Sequence, residues 1–122
     1  MQCEIHVTKE NDFLRINAIG SLSRDSMVSL AKAVVESSAE YNCTKEVVDL
    51  SNLAGTVGAV DIYKVVDDVI DGLVPPGALK IAVIGNKDLE QETRFLETVS
   101  RNSGYNLLVF DDVEDAVNWL KE

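Results

Sequence analysis

Residues 47–59, VVDLSNLAGTVGA, join an apolar run to a stretch of small residues, and this junction decides the fold. Val47, Val48 and Leu50 lie close together, with Asp49 as the one polar residue among them. Such a run predicts a strand that is covered on both faces, as parallel strands of an α/β sheet are. The small residues that follow predict a loop from Asn52 to Val60, in which the glycines let another backbone approach closely.

Two later apolar runs predict further buried strands. They are LKIAVI, residues 79–84, and LLVF, residues 107–110. The amino-terminal segment is different, because apolar and polar residues alternate from Cys3 to Ile19. Glu10, Asn11 and Asp12 interrupt this alternation with turn-forming residues. The segment therefore predicts an antiparallel hairpin with one face in solvent.

Two helical patterns flank the run at residues 47–50. Ser23 is placed to cap the first helix, since its side chain can accept a hydrogen bond from an unpaired backbone amide. The second helix must end before residues 75–77, PPG, because proline cannot continue a helix. The predicted inward-facing residues are Met27, Leu30, Ala31, Val34 and Val35 in the first helix, and Ile62, Tyr63, Val66, Ile70 and Leu73 in the second.

Two more helical patterns follow the later strands. Asp88 with Gln91, and Asp111 with Glu114, have the spacing of a capping box and predict where these helices start. Gly104 is placed to end the third helix. The predicted inward-facing residues are Leu89, Leu96 and Val99 in the third helix, and Ala116, Val117 and Leu120 in the fourth.

The predicted order of elements is ββαβαβαβα in one domain, residues 1–122. Parallel strands joined by right-handed crossovers can lie in chain order. The simplest sheet therefore has the order 1-2-3-4-5, with the first strand antiparallel at the edge and the later strands parallel. The expected class is a single-domain α/β fold with helices packed on a mixed sheet.

Composition restricts the classes of partner. The 122 residues include 11 basic and 21 acidic side chains, which give a formal net charge of −10. This charge repels phosphate backbones and anionic lipid surfaces, so nucleic acid is not an expected partner and membrane association is disfavoured. The sequence shows neither a signal-peptide pattern nor an apolar run of membrane-spanning length, which predicts a cytoplasmic protein.

Three features together resemble the anti-sigma-factor-antagonist (STAS) family, and more closely its SpoIIAA-like branch. They are the amino-terminal hairpin, the VVDLS strand that ends in a loop before a helix, and the terminal VFDDVEDAVNWLKE, residues 109–122. The resemblance covers nearly the whole chain in element order. It implies the fold predicted above, and it implies protein partners for the loop after the third strand.

The resemblance fails at the regulatory serine. In the phosphorylated antagonists, an Asp-Leu-Ser strand end is followed by a loop reading Asp-Ser-Ser-Gly, in which the first serine accepts phosphate. Here Asp49, Leu50, Ser51 and Leu53 match the strand end. A gapless count places the four switch positions on Val57, Gly58, Ala59 and Val60, so glycine replaces the phosphoacceptor. Ser51 and Thr56 are the nearby hydroxyls, and they are interpreted as turn residues that bond local backbone.

No catalytic, cofactor or metal site is predicted. GNKD, residues 85–88, is one residue shorter than the guanine-reading Asn-Lys-x-Asp motif, and the chain lacks a phosphate-binding loop. Asn86 and Asp88 are therefore interpreted as helix-start residues. His6 is the only histidine and is interpreted as a polar strand residue. Cys3 and Cys43 have no metal-ligand spacing and are interpreted as two reduced thiols. The acidic residues Asp61, Asp67, Asp68 and Asp71 are interpreted as a solvated helix face.

Two functions fit these observations. The first is a non-catalytic protein-interaction module that acts through the loop and the helix start that follows it. Its candidate residues are Ser51, Asn52, Thr56, Val57, Gly58 and Asp61. The alternative is a carrier or sensor of a small apolar ligand, held between the sheet and the helices at the carboxyl ends of the strands. The resemblance to SpoIIAA-like proteins implies such ligands, and it implies a position at the periphery of membranes for this alternative. An enzyme is not expected.

Trp119 gives a further expectation. It follows Ala116 by three residues on the short terminal helix, where an indole can cover the sheet. We predict that it belongs to the core and is not a recognition aromatic. Full burial would make its replacement by alanine cost about 3–5 kcal/mol.

Overall fold

The computed structural model describes residues 3–70, 72, 75 and 77–122, with the exception of the Val69 side chain. The five strands are β1 Cys3–Lys9, β2 Leu14–Ser21, β3 Lys45–Ala54, β4 Lys80–Ile84 and β5 Asn106–Phe110. The helices are α1 Arg24–Tyr41, α2 Ala59–Lys64, α3 Glu90–Asn102 and α4 Val113–Leu120. A π-helical segment, Val65–Ile70, continues α2, and a 3-10 turn, Lys87–Leu89, precedes α3. The predicted element order is confirmed.

The sheet has the predicted order β1-β2-β3-β4-β5. β1 pairs antiparallel with β2, and the remaining neighbours are parallel. β3 is longer than predicted, because Asn52, Leu53 and Ala54 pair with the end of β2 after a register irregularity. The predicted loop from Asn52 to Val60 is therefore too long, and the segment between β3 and α2 is residues 55–58.

Helices cover the two faces of the sheet unequally. Alternation along β3 places Val48 and Leu50 on one face, where they pack with Leu30 and Val34 of α1. Helices α2 and α3 contact this side of the molecule as well. Val47 lies on the other face, in a smaller cluster with residues of α4. The cluster members on that face are Val47, Ala82, Ile84, Ala116 and Leu120.

The predicted helix starts are partly correct. Ser23 caps α1 as predicted, since its Oγ accepts a hydrogen bond from the Ser26 amide at 3.1 Å. The cap predicted for α3 is wrong by two residues, because Asn86 and not Asp88 accepts the backbone amides. A 3-10 turn then precedes the α-helix, which starts at Glu90. The start of α4 is wrong by one residue, since Asp112 accepts the Asp115 amide at 2.8 Å. Gly104, with φ 91°, follows the end of α3 as predicted.

One aromatic prediction is wrong, and a second is confirmed only in part. Tyr63 was placed among the inward-facing residues of the second helix, but its side chain is exposed while Ile62 and Val66 are buried. The buried stripe of this helix passes through Ile62 and Val66, which are four residues apart, and Tyr63 lies outside that stripe. Leu73, in the same predicted stripe, lies outside the described residues. Trp119 is half-buried, so the stability cost stated for full burial does not apply to it.

Trp119 packs at the edge of the smaller cluster. Its ring lies 5.6 Å from that of Phe110, centroid to centroid, and the Lys80 ammonium lies 4.6 Å from the centre of the indole. Lys80 Nζ also donates to the Trp119 carbonyl oxygen at 2.6 Å. These contacts attach the carboxyl end of α4 to the start of β4.

Candidate functional site

The candidate site lies at the carboxyl end of the parallel strands. β2, β3, β4 and β5 all point toward this edge, so the starts of the four helices gather there. The chain leaves β3 through residues 55–58 and enters α2 at Ala59. The Leu22 amide donates to the Ala54 carbonyl oxygen at 2.6 Å and so joins the segment after β2 to the end of β3.

The predicted site residues occupy different environments. Ser51 and Asn52 are exposed in β3, and Thr56 and Gly58 are exposed in the segment that follows. Val57 is half-buried and packs against the larger core cluster. These four exposed positions therefore share one edge of the sheet, whereas Val57 anchors the segment beneath them. Asp61 is half-buried in the first turn of α2.

The buried Asp49 carboxylate accepts hydrogen bonds that link the end of β3 to β2. Its Oδ1 accepts hydrogen bonds from the Ser51 hydroxyl at 2.6 Å and the Ser51 amide at 3.0 Å, and its Oδ2 accepts from Arg15 Nη2 at 3.0 Å. Burial of the Asp49 carboxyl acts to raise its pKa. The hydrogen bonds from Ser51 and the Arg15 guanidinium outweigh that effect and hold the pKa below its ordinary value. The Ser51 hydroxyl therefore has a bond to an ionised carboxylate, not to turn backbone as predicted.

Asn86 connects the end of β3 to the start of α3. Its Nδ2 lies within 3.2 Å of the carbonyl oxygens of Leu50, Ser51 and Leu53. Its Oδ1 accepts the amides of Asp88 at 2.9 Å and Leu89 at 3.1 Å. One side chain thus satisfies backbone groups of two elements. The predicted role of Asn86 as a helix-start residue is confirmed. Nothing in the sequence predicts its hydrogen bonds to β3.

α2 presents two large apolar side chains to solvent. Val60 is 66% exposed and Tyr63 is 52% exposed. They are three residues apart on a helix and therefore lie on one face. We call the segment 55–58 together with Val60 and Tyr63 the α2 surface. Sequence reasoning missed the exposure of Tyr63, because the helix is too short for its pattern to define which side is buried.

The two glycines of segment 55–58 have opposite conformations. Gly55 has φ 116°, and a Cβ on it would lie 3.0 Å from the Leu22 carbonyl oxygen. Gly58 has φ −66° at the N-cap of α2, and a Cβ there meets no atom within 4 Å. The segment therefore needs glycine at residue 55 for its backbone, but it does not need glycine at residue 58.

We expect Gly55→Ser to lower the free energy of unfolding by about 1–2 kcal/mol, because serine is strained at positive φ and crowds Leu22. Gly58→Ser is the matched control. Its backbone is already extended, and serine is a good N-cap residue, so we expect a change within about 0.5 kcal/mol. Urea denaturation of both variants measures the difference. Equal losses at the two positions would contradict the stated role of φ.

An apolar cavity of about 100 Å³ lies between the sheet and the helices α1, α2 and α3. Its walls include Val34 of α1, Val48 and Leu50 of β3, and Leu107 of β5. The described polar residues in its lining are Glu92, Thr93, Ser100 and Tyr105. The predicted space between sheet and helices is thus present, and it extends from the carboxyl ends of the strands toward the start of β5.

No cluster of three or more histidine, cysteine, aspartate or glutamate side chains suited to a metal ion occurs among the described residues. Within the same residues, none of the helices has the length and apolar character that crossing a membrane requires. The candidate acidic face on the second helix has Asp67 and Asp68 exposed, while Asp71 lies outside the described residues. His6 is exposed on β1 beside Glu4, with 3.3 Å between Nε2 and Oε2.

Comparison of the fold identifies its class. The structure is similar to an anti-sigma factor antagonist from Mycobacterium paratuberculosis, with a TM-score of 0.69 and 14% identity over 98% of this chain and 95% of that one. It is similar to a DUF3478-family protein with a SpoIIAA-like fold from Shewanella loihica, with a TM-score of 0.57 and 22% identity over 97% and 93%. The unphosphorylated form of the anti-sigma factor antagonist SpoIIAA gives a TM-score of 0.55 and 9% identity over 97% and 98%.

These likenesses confirm that the chain has a SpoIIAA-like (STAS) fold, as the sequence resemblance predicted. The sequence matches no protein-family model. No curated protein resembles it in sequence either. The fold is therefore established by shape at low sequence identity.

Proposed function

We propose that the protein is a non-catalytic interaction module whose docking surface is the α2 surface. The observation that carries this proposal is the exposure of Val60 and Tyr63 beside an exposed segment of small residues. Apolar and aromatic side chains of this kind supply binding energy when a partner removes them from water. The neighbouring Gly58, where a Cβ would meet no atom within 4 Å, allows a partner backbone to approach closely.

The fold neighbours support a proposal about the class of partner. Two of them are anti-sigma factor antagonists, proteins named for acting against an anti-sigma factor. We propose a partner of that kind for this chain. Gly58 has no hydroxyl to accept phosphate, and the Ser51 hydroxyl is already bonded to Asp49. Binding through the α2 surface is thus proposed to be constitutive and not controlled by phosphorylation.

Replacing Tyr63 with alanine is expected to weaken binding to the cognate anti-sigma factor at least tenfold, because aromatic anchors dominate interface energies. Tyr41→Ala is a matched control. Tyr41 is 40% exposed, but it ends α1 at the opposite end of the sheet, where the chain turns into β3. Its replacement is expected to change the dissociation constant less than twofold. Calorimetric titration with the anti-sigma factors of the same genome measures both values.

Two results would contradict this proposal. The first is equal binding by Tyr63→Ala and the unmodified protein, or amide NMR shifts confined to surfaces away from α2. The second is phosphate on Ser51 or Thr56 in protein taken from its native cell, at substantial occupancy and changing with growth state. That second result would make the segment a relocated phosphorylation switch.

The apolar cavity favours a second candidate function, the carriage of a small neutral ligand. Its volume of about 100 Å³ approaches the ~150 Å³ of an engineered apolar cavity that binds benzene. A net charge of −10 and the half-buried Glu92 in the lining disfavour an anionic ligand. Native mass spectrometry of protein purified without detergent tests this function. A bound mass lost on cavity filling by Ala31→Leu would support it, and repeated recovery of bare protein would count against it.

A further inference from the structure

The charged residues around the α2 surface are mainly acidic. Asp67 is exposed and follows Tyr63 by four residues, so the two side chains are neighbours on the helix surface. Asp61 and Asp68 lie on α2 and its π-helical continuation as well, and Lys64 is the only basic residue among the described positions 59–70. Lys64 forms no ion pair with a described acidic residue. The exposed apolar side chains of α2 are therefore bordered by a net negative charge.

A surface cleft joins the α2 surface to the start of α3. Thr56 of the α2 surface lines this cleft together with charged residues of the 3-10 turn and α3. The charged lining residues are Lys87, Asp88, Glu90, Glu92 and Arg94. Arg94 is already paired with Glu90, with 3.3 Å between Nε and Oε1. The α3 side of the α2 surface therefore has no excess of positive charge that would attract an acidic partner.

Charge is distributed unequally between the two ends of the sheet. All four helices start at the carboxyl ends of the strands, and each has an acidic residue in its first turn. These first-turn residues are Asp25, Asp61, Glu90, Glu92, Glu114 and Asp115. The opposite end of the sheet holds the basic residues Lys9, Lys45, Lys80, Arg101 and Lys121. Because the helix dipoles, about half a charge at each start, offset only part of the acidic excess, a positively charged partner is attracted to the end where the α2 surface lies.

We infer that the partner of the α2 surface presents a hollow that receives Tyr63 and Val60 and is bordered by lysine or arginine side chains. This inference rests on the proposed function and names the chemistry of its partner. The apolar side chains would supply binding energy on leaving water, whereas the surrounding charges would mainly set the rate of encounter. Asp67 and Asp88 form no hydrogen bond or ion pair through their side chains within the described part of the chain, so both carboxylates are available to basic groups of a partner.

The test is the rate of association of the full chain with the anti-sigma factors of the same genome. Surface plasmon resonance at about 0.05 M and about 0.5 M NaCl gives the association and dissociation rates separately. We expect the higher salt concentration to slow association at least about tenfold and to change dissociation less than about threefold. The reason is that salt screens the attraction between separated molecules more than contacts that are already formed.

Three variants locate the charges that matter. Asp67→Asn combined with Asp88→Asn removes two charges beside the α2 surface and is expected to slow association about threefold at the lower salt concentration. Glu10→Gln combined with Asp12→Asn removes two charges from the exposed turn at the opposite end of the sheet, and the expected change is less than about 1.5-fold. Lys64→Gln is expected to speed association about twofold, because it removes a positive charge beside Tyr63. A merely structural role of these residues would not produce effects of opposite sign.

The outcomes separate the chemistry of the partner from the proposed docking surface. Equal slowing by the two double variants would show that only the total charge matters, and it would overturn the inference. Association that salt leaves unchanged or accelerates would overturn it as well, while weaker binding by Tyr63→Ala would leave the docking surface standing. Absence of binding by every anti-sigma factor of the genome would overturn the proposed function and this inference together.

Discussion

Replacing Glu46 with glutamine is expected to raise the free energy of unfolding by about 3 kcal/mol at pH 7. Glu46 is fully buried in β3 on the face that packs against α1. Its nearest polar partner is the Ser37 hydroxyl, 3.3 Å from Oε1, and its Oε2 has no partner among the described residues. Burial raises the pKa of Glu46 from 4.5 to about 8, against the smaller opposing effect of Ser37.

The direction of the pH dependence follows from this raised pKa. Between pH 4.5 and about 8, the folded protein keeps a proton on Glu46 that the unfolded chain releases. Stability from this group is complete below pH 4.5 and is lost as the pH rises toward 8. Glutamine stays neutral in both states, so the variant lacks this loss. The difference between variant and unmodified protein should therefore grow from pH 5 to pH 9.

Chemical denaturation at pH 5, 7 and 9 measures this difference. Glu36→Gln on the exposed face of α1 makes the same change in formal charge and is expected to stay within about 0.5 kcal/mol of the unmodified protein. Parallel profiles for Glu46→Gln and the unmodified protein would show that the carboxyl is not held protonated in the fold.

Asn86→Asp is expected to lower the free energy of unfolding by about 2–3 kcal/mol. Aspartate keeps the oxygens that accept the amides of Asp88 and Leu89, so the helix cap survives. It lacks the amide hydrogens, however, and turns a carboxylate toward the carbonyl oxygens of Leu50 and Leu53. Lost hydrogen bonds and repulsion between oxygens then act together.

Two comparisons isolate the cause of this loss. Asn11→Asp adds the same charge in the exposed turn between β1 and β2, and it is expected to change stability by less than about 0.5 kcal/mol. Asn86→Ala removes the cap as well as the donor. If Asn86→Asp proved as stable as the unmodified protein in urea melts, the bonds to β3 would contribute nothing to the fold.

Strands and their order were predictable because burial on two faces leaves apolar runs that can be read directly. LKIAVI and LLVF correspond to β4 and β5 within one residue at each end. Helix starts were less predictable. Asp111 and Asp112 are adjacent and chemically equal as caps, and only the path of the backbone out of β5 selects Asp112.

The sequence predicts the environments of the candidate site residues to different degrees. Glu46 alternates with the buried residues Val48 and Leu50, so its burial could have been predicted from the strand period. Ser100 and Asn86 carry no comparable signal, because their environments are created by elements distant in sequence. The exposure of Val60 and Tyr63 depends on which side of α2 contacts α1 and α3, and a six-residue helix has too few positions to define that side by pattern.

The unequal cover of the two sheet faces has a consequence for solubility. On the face opposite α1, the apolar residues Val47, Ala82 and Ile84 are covered by α4, a helix of eight residues. Helices this short are marginal by themselves and open locally at low cost. Each opening would expose a contiguous apolar area of the central strands to other molecules. Transient release of α4 would therefore favour self-association of this acidic protein, and the contacts of Lys80 with Trp119 oppose that release.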